Sequence, residues 1–359
     1  MSAAGERLGR MVADEVRRGA MPGATWWVGD AGGPAASGGF GHAALEPAAF
    51  ALTLDTPFDL ASLTKLLATA PLALMLERDG RLNLDATLAS VFPALGSLAV
   101  GSATLRDAAA HRAGLPAWAP LYLAGATQDA YIEAIAAESR DAVPGATLYS
   151  DLGYVLLGFA VERAAGRTLD RLFEERIARP LGLPRCGFAK GTSAFPDAAA
   201  TEHRRAFEQA KADGARCDRV LRSVPRGQVH DGNAWGLGGV AGHAGLFGTA
   251  AEVAAIAVAL LDPVRLGLAP GDLVTMLEPV AGGDGSRTFG GLLAKDSDSV
   301  RGVLPDDAVG HWGFTGTSVW IDAARPRVYV LLTNRVHPEV PAEPFTSTRR
   351  AFHALASTL

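Results

Sequence analysis

The sequence predicts an α+β fold: one antiparallel sheet built from both chain ends and flanked by helices, with a mainly helical domain inserted between them. Three observations predict it. Strand-like runs occur near both ends, at 23–30 and about 37–43, then at 309–314, 317–322 and 327–333. The stretch from Ser62 to about 185 is mostly helical in pattern, punctuated by Pro and Gly. Strands at the ends with helices between them place the sheet outside the insertion. The expected division is 1–62 and 240–359 for the sheet domain and 63–239 for the helical one, with an active site at their interface.

The elements follow in order. Residues 3–19 read as an amphipathic helix carrying Glu6, Asp14 and Glu15. The strand "GATWWVGD" ends at a turn around Gly32-Gly33-Pro34. Helices fit 62–79, 104–111, 128–138, 151–166 and 168–178, and Pro71 is expected to kink the first. Residues 186–232 are polar and irregular. A helix fits 249–262, Ala323–Pro326 make a hairpin turn, and a last helix covers about 344–357.

With 359 residues, 48% of them hydrophobic, the chain can bury a sizeable core. A net charge of −5, without long single-sign runs, gives no nucleic-acid surface. Cys186 and Cys217 form neither a disulfide framework nor a metal knuckle, and read as buried or incidental thiols. There is no apolar h-region at the start and no run of 18 uncharged apolar residues. A soluble cytoplasmic protein, with no membrane partner, is the expectation. The oligomeric state is not legible.

The segment "DLASLTKLLATA" (59–70) holds a lysine in a chain that otherwise prefers arginine; only Lys65, Lys190, Lys211 and Lys295 occur. Ser62 alone could be a helix N-cap. Lys65 does not fit that account, because the first turn favours acidic residues and opposes a cation by about 0.3–1 kcal/mol. Residues three apart share a helix face, so Ser62 Oγ and Lys65 Nζ can meet. A serine hydroxyl needs a group to accept its proton. Arginine stays protonated, whereas lysine can serve if burial and nearby positive potential lower its pKa.

Two further stretches stand out. In "GATLYSDLGY" (145–154), Ser150 or Asp151 can cap the following helix, and Tyr149 could pack on Tyr154 as a hydrophobic staple or act as a proton shuttle. In "GHWGFTGTS" (310–318), three glycines in a strand-forming run allow another backbone, such as a substrate, to approach closely.

Ser62-x-x-Lys65, Tyr149-Ser150-Asp151 and His311-Trp312-Gly313 stand in the order of the three motifs of penicillin-recognising serine enzymes, which the chain resembles over about 20–340. The tyrosine in the second motif is similar to class C β-lactamases, D-Ala-D-Ala peptidases and family VIII carboxylesterases. The runs Leu105–Pro116, Val229–Ala234, Gly238–Phe247 and "GFTGTSVWID" resemble the same superfamily. The resemblance implies the β-lactamase/DD-peptidase-like fold. It implies that Ser62 attacks a carbonyl while Lys65 and Tyr149 pass its proton on. The N–H groups of Ser62 and Phe314 would form an oxyanion hole, each donor worth about 2.7–4 kcal/mol in comparable sites. Asp151, His311, Trp312 and Gly313 would contact substrate.

Two departures narrow the substrate. Asp151 stands where class C enzymes have asparagine, and His311 where β-lactamases usually have lysine. An unperturbed histidine is mostly neutral at pH 7, so the permanent cation that greets a carboxylate is missing. The expectation is a serine hydrolase cleaving small carboxylic esters. The alternatives are a β-lactamase, a D-Ala-D-Ala carboxypeptidase or D-aminopeptidase, and a non-catalytic penicillin-binding-like sensor. No cofactor or metal is expected: Gly236–Ala241 imitates a dinucleotide fingerprint but follows no strand, and no zinc motif occurs. His230 and His243 read as loop-stabilising hydrogen-bonders.

Overall fold

The computed structural model describes residues 3–191, 194–212, 224–281 and 284–359. Among these the fold is α+β. The strands are β1 (Gly23–Asp30), β2 (Gly33–Ala44), β3 (Phe50–Ala51), β4 (Phe58–Asp59), β5 (Gly187–Phe188), β6 (Leu246–Gly248), β7 (Leu292–Leu293), β8 (Val309–Trp312), β9 (Ser318–Asp322) and β10 (Arg327–Thr333). Seven of them form one sheet in the order β3-β2-β1-β10-β9-β8-β7, antiparallel throughout. Both chain ends therefore meet at its centre, where Ala24 pairs with Thr333 and Gly29 with Val328.

Both faces of the central strands are covered. Trp26 and Val28 of β1, Trp320 of β9 and Tyr329 and Leu331 of β10 pack in one cluster with Leu8 and Phe352. Those two come from helices α1 (Ala3–Arg17) and α6 (Thr346–Ala356). Trp27, Val319, Ile321, Val328, Val330 and Leu332 point the other way. They join a larger cluster with α2 (Ala70–Arg78), α3 (Gln128–Glu138), α4 (Asp151–Ala165) and α5 (Ala250–Leu261). The period-2 alternation of strand side chains thus feeds two apolar layers, which is why the strands read as nearly continuous apolar runs. One continuous core joins the sheet to the helices that carry the site.

The expected helix over 62–79 is interrupted. A π-helical segment, Lys65–Thr69, precedes α2, and Pro71 sits in the first turn of α2. Proline cannot donate to the carbonyl four residues back and its ring crowds it, so the backbone widens before it. The same happens over 168–178: Leu169–Phe173 is α-helical and Glu174–Ala178 is π-helical, just before Pro180. Within 186–232 the structure adds β5 and a short helix, Ala206–Lys211. Cys186 is buried and free; Cys217 lies outside the described residues. No helix among the described residues is long and apolar enough to cross a membrane.

Candidate active site

Ser62 sits in a tight turn held on every side. β4 pairs with β6, and the Leu60 N–H donates to the Leu246 carbonyl. Asp59 Oδ1 accepts from the Ala61 N–H at 2.9 Å. Ala61 has φ +48°, a left-handed conformation unusual outside glycine, immediately before the serine. Ser62 directly precedes the helical turn that begins at Leu63, but its Oγ accepts from Lys65 Nζ and Tyr149 Oη rather than from a backbone N–H of that turn. The capping account of the serine therefore fails.

Lys65 Nζ lies 2.9 Å from Ser62 Oγ, 2.8 Å from Tyr149 Oη, 2.7 Å from Asp151 Oδ1 and 3.3 Å from the His243 carbonyl. An ammonium has three protons for these four acceptors. Tyr149 Oη in turn donates to Ser62 Oγ at 2.9 Å. Serine, lysine and tyrosine are mutually within proton-transfer reach. Tyr149 precedes α4, whose N-cap Ser150 accepts from the Gly153 N–H. Tyr149 turns to Lys65 rather than stapling onto Tyr154. The His111 ring stands against both tyrosines, with centroids at 4.6 and 5.3 Å, and its Nδ1 accepts the Ser150 N–H.

The charges differ from the sequence expectation in one respect. Burial pulls the Lys65 ammonium down, yet Asp151 and Tyr149 together outweigh it and hold the group above its usual pKa. Lys65 is not depressed by positive potential, because the closest charge is the Asp151 carboxylate. Burial and then Asp151 also push the Tyr149 phenol up. The resting pair is protonated, and a proton must leave it before Ser62 can give one up.

His311 lies on β8, buried, with Nδ1 2.8 Å from the Trp312 carbonyl. That contact fixes the proton on Nδ1, so Nε2, which has no partner among the described residues, is an acceptor. Burial, then the positive charges of Lys65 and Arg287, hold its pKa well below 6.5. His311 is neutral at pH 7. Trp312 is partly exposed and stacks over Tyr149 at 6.5 Å, 15° from parallel. Phe314 lines the cavity beside Ser62.

The glycines of the third motif clear space for the protein itself, not for a substrate backbone. A Cβ on Gly313 would stand 2.2 Å from Thr317 Oγ1 and 2.7 Å from the Leu60 carbonyl. One on Gly310 would stand 2.3 Å from the Val319 carbonyl. The strand is thereby pressed onto the Ser62 turn, where Thr315 and Thr317 donate to the carbonyls of Asp59 and Leu60. Gly236–Ala241 runs on from the short helix Gly232–Gly236 and follows no strand.

Several residues stand at the site that the sequence did not place there. Arg287 stands 5.4 Å over the Tyr149 ring, a fixed cation close to the one His311 lacks. Asp231, Glu208, His230 and Trp118 line the cavity over Ser62, which measures about 110 Å³. His243 Nε2 bonds Asp231 Oδ1 and His230 Nε2 bonds Glu202 Oε2, each at 2.8 Å, so both histidines do stabilise loops. His243 also offers its carbonyl to Lys65. The runs holding Asp231 (229–234) and His243 (238–247) were visible in the sequence; Glu208 and Arg287 lie in segments without a pattern to mark them.

A family profile described as Beta-lactamase matches residues 8–351. A protein of Escherichia coli K12 named as a putative D-alanyl-D-alanine carboxypeptidase is 34% identical over 313 residues, covering 80% of this chain and 71% of that protein. Among solved structures, EstCE1, described as a hydrolase with promiscuous acyltransferase activity, superposes with a TM-score of 0.75 at 20% identity, covering 98% of each chain. The octameric penicillin-binding protein homologue from Pyrococcus abyssi does so with 0.71 at 20%, covering 92% of this chain and 73% of that one. At such identities these two likenesses speak for the fold alone. By the family match and the relative's identity, the chain belongs to the Beta-lactamase family, as a serine hydrolase of that fold.

Proposed function

We propose that the protein hydrolyses small carboxylic esters through an acyl-enzyme on Ser62. The observation that carries this is the placement of Ser62 Oγ, 2.9 Å from both Lys65 Nζ and Tyr149 Oη. Once the Lys65–Tyr149 pair has lost a proton, Ser62 Oγ bonds the ester carbonyl carbon and gives its proton to the pair. The carbonyl oxygen takes the negative charge and is met by the N–H groups of Ser62 and Phe314. The ester C–O bond breaks and the pair returns the proton to the leaving alkoxide. Water then repeats the cycle on the acyl-enzyme, releasing the acid.

Ester substrates are favoured by charge. An anionic β-lactam would meet a neutral His311 and the carboxylates of Asp151, Asp231 and Glu208 along the cavity. Charge-assisted hydrogen bonds are roughly twice as strong as neutral ones, so that loss weighs on an anion and not on a neutral ester. One observation favours a second reading, D-Ala-D-Ala carboxypeptidase: Arg287 beside Tyr149 could take over a terminal carboxylate, and the E. coli relative carries that name. The test is kcat/KM for short-chain p-nitrophenyl esters, nitrocefin and a D-Ala-D-Ala peptide on one enzyme batch. Esters are expected to lead; a lead for nitrocefin or the peptide overturns the ester reading.

A further inference from the structure

We infer that Arg349 is a positioning residue for the oxyanion hole: from α6 it holds the Gly313 carbonyl, and so aims the N–H at the other end of that same peptide, that of Phe314, at the cavity over Ser62. The inference rests on the acyl-enzyme reading above and adds a residue to its transition-state machinery.

Arg349 lies far along the chain from Ser62, Lys65 and Tyr149, and is buried. Its Nη2 donates to the Gly313 carbonyl at 2.7 Å and to the Thr317 carbonyl at 3.3 Å, the two ends of the turn that carries Phe314. The guanidinium carbon stands 5.4 Å from the ring centres of both Trp312 and Phe345, contacts that hold the cation in place. Burial, and then the charge of Arg335, pull the group down to about 9, so it stays protonated at pH 7. Among the described residues no carboxylate pairs with it. A buried cation without a counter-ion is costly, and anchoring α6 does not call for one. Phe345, Phe352 and Ala356 already pack α6 and its start into the apolar cluster on the sheet.

The peptide between Gly313 and Phe314 is planar, with its C=O and N–H on opposite sides. Fixing the oxygen therefore fixes the direction of the N–H. The Gly316 N–H reaches the same oxygen at 3.1 Å. Arg349 adds the charge-assisted bond, which is the stronger kind. A donor on the carbonyl also polarises the amide and strengthens the N–H at its other end. Among the described residues neither the Phe314 N–H nor the Ser62 N–H donates to a protein acceptor. Both residues line the same cavity, so these two donors are free for a substrate oxygen. The charge of Arg349 is felt at the site, since it is among those that hold His311 neutral.

The test compares Arg349→Met, which keeps the apolar stem, with Arg349→Gln, which is shorter and neutral but leaves a polar group in place. Stopped-flow release of p-nitrophenol from p-nitrophenyl acetate gives the acylation rate constant and the ester's Kd separately. Butylboronic acid imitates the tetrahedral intermediate: Ser62 Oγ bonds the boron, its proton passes to the Lys65–Tyr149 pair, and a boronate oxygen takes the oxyanion's place. In both variants acylation should slow by about 10- to 100-fold, short of the loss from deleting a donor outright. Boronate inhibition should weaken by a similar factor, while the ester's Kd stays within about twofold. A purely structural role would lower the melting temperature and leave the acylation rate of the folded protein unchanged. A folded variant that acylates within about twofold of the wild type overturns the inference, as does failure of both variants to fold. If the wild type forms neither the acyl nor the boronate adduct at Ser62, the acyl-enzyme reading falls as well; if it forms both and the variants match it, the inference alone falls.

Discussion

On the inner wall of the cavity, Ser62 and Asp151 are tied to Lys65 and Tyr149 behind them by bonds of 2.7–2.9 Å, and the Lys65 protons are fully committed. On the outer wall, Glu208 accepts from the Gly232 N–H at 2.8 Å and stands 3.7 Å from Arg205, and Phe207 is partly exposed. The inner wall comes from a turn, a π-helical segment and a helix N-terminus locked into the core. Phe207 and Glu208 of the outer wall come from the short helix Ala206–Lys211. The contrast separates two jobs: a closed network fixes the chemistry, and a looser wall shapes the space over Ser62.

The largest effect expected from breaking the inner wall is at Lys65. Lys65→Arg keeps the charge and much of the length but cannot give up a proton at any working pH. Its kcat should fall by several orders of magnitude, as for loss of an activating base. Near-normal turnover of an ester by Lys65→Arg in steady-state assays would mean that only a cation is needed.

A smaller effect is expected where the third motif presses on the nucleophile turn. Gly313→Ala places a Cβ against Thr317 Oγ1 and the Leu60 carbonyl. Overpacking of this kind costs about 1–3 kcal/mol. A lowered urea midpoint with an unchanged m-value, together with reduced kcat, is the outcome; an unchanged midpoint would show that the strand can slide away freely.

The subtlest change is in the set point of the proton couple. Asp151 raises the pKa of both Lys65 and Tyr149. Asp151→Asn removes that charge, so both values fall and the deprotonated pair forms at lower pH. The acid limb of the kcat/KM profile should move to lower pH. A limb that stays in place would assign it to another group.

The same contrast explains what could be read from the sequence. The π-turn aside, the inner wall was legible because each motif is short and local: Lys65 follows Ser62 by three positions, and Tyr149 abuts a capped helix. The five longer strands near the two chain ends were legible as strand-forming runs, the two-to-three-residue strands β3 to β7 were not, and the helices 128–138 and 151–166 were legible from periodicity. The direction of the Lys65 shift was not, because it depends on a carboxylate 86 positions away brought to 2.7 Å. The three glycines of 310–316 announced a close approach but not what approaches. Glu208 and Arg287 carried no signal, since no period or cap marks them and only the fold brings Glu208 to the cavity and Arg287 over Tyr149.

The central claim is a covalent acyl-enzyme on Ser62. The direct measurement is intact-protein mass spectrometry of acid-quenched ester turnover and of a fluorophosphonate reaction, with peptide mapping of any adduct, on the wild type and Ser62→Ala. The account predicts one acyl or phosphonyl group on the peptide containing Ser62 in the wild type, and neither adduct nor turnover in Ser62→Ala. An adduct mapped to another residue, or undiminished labelling and turnover in Ser62→Ala, would contradict it.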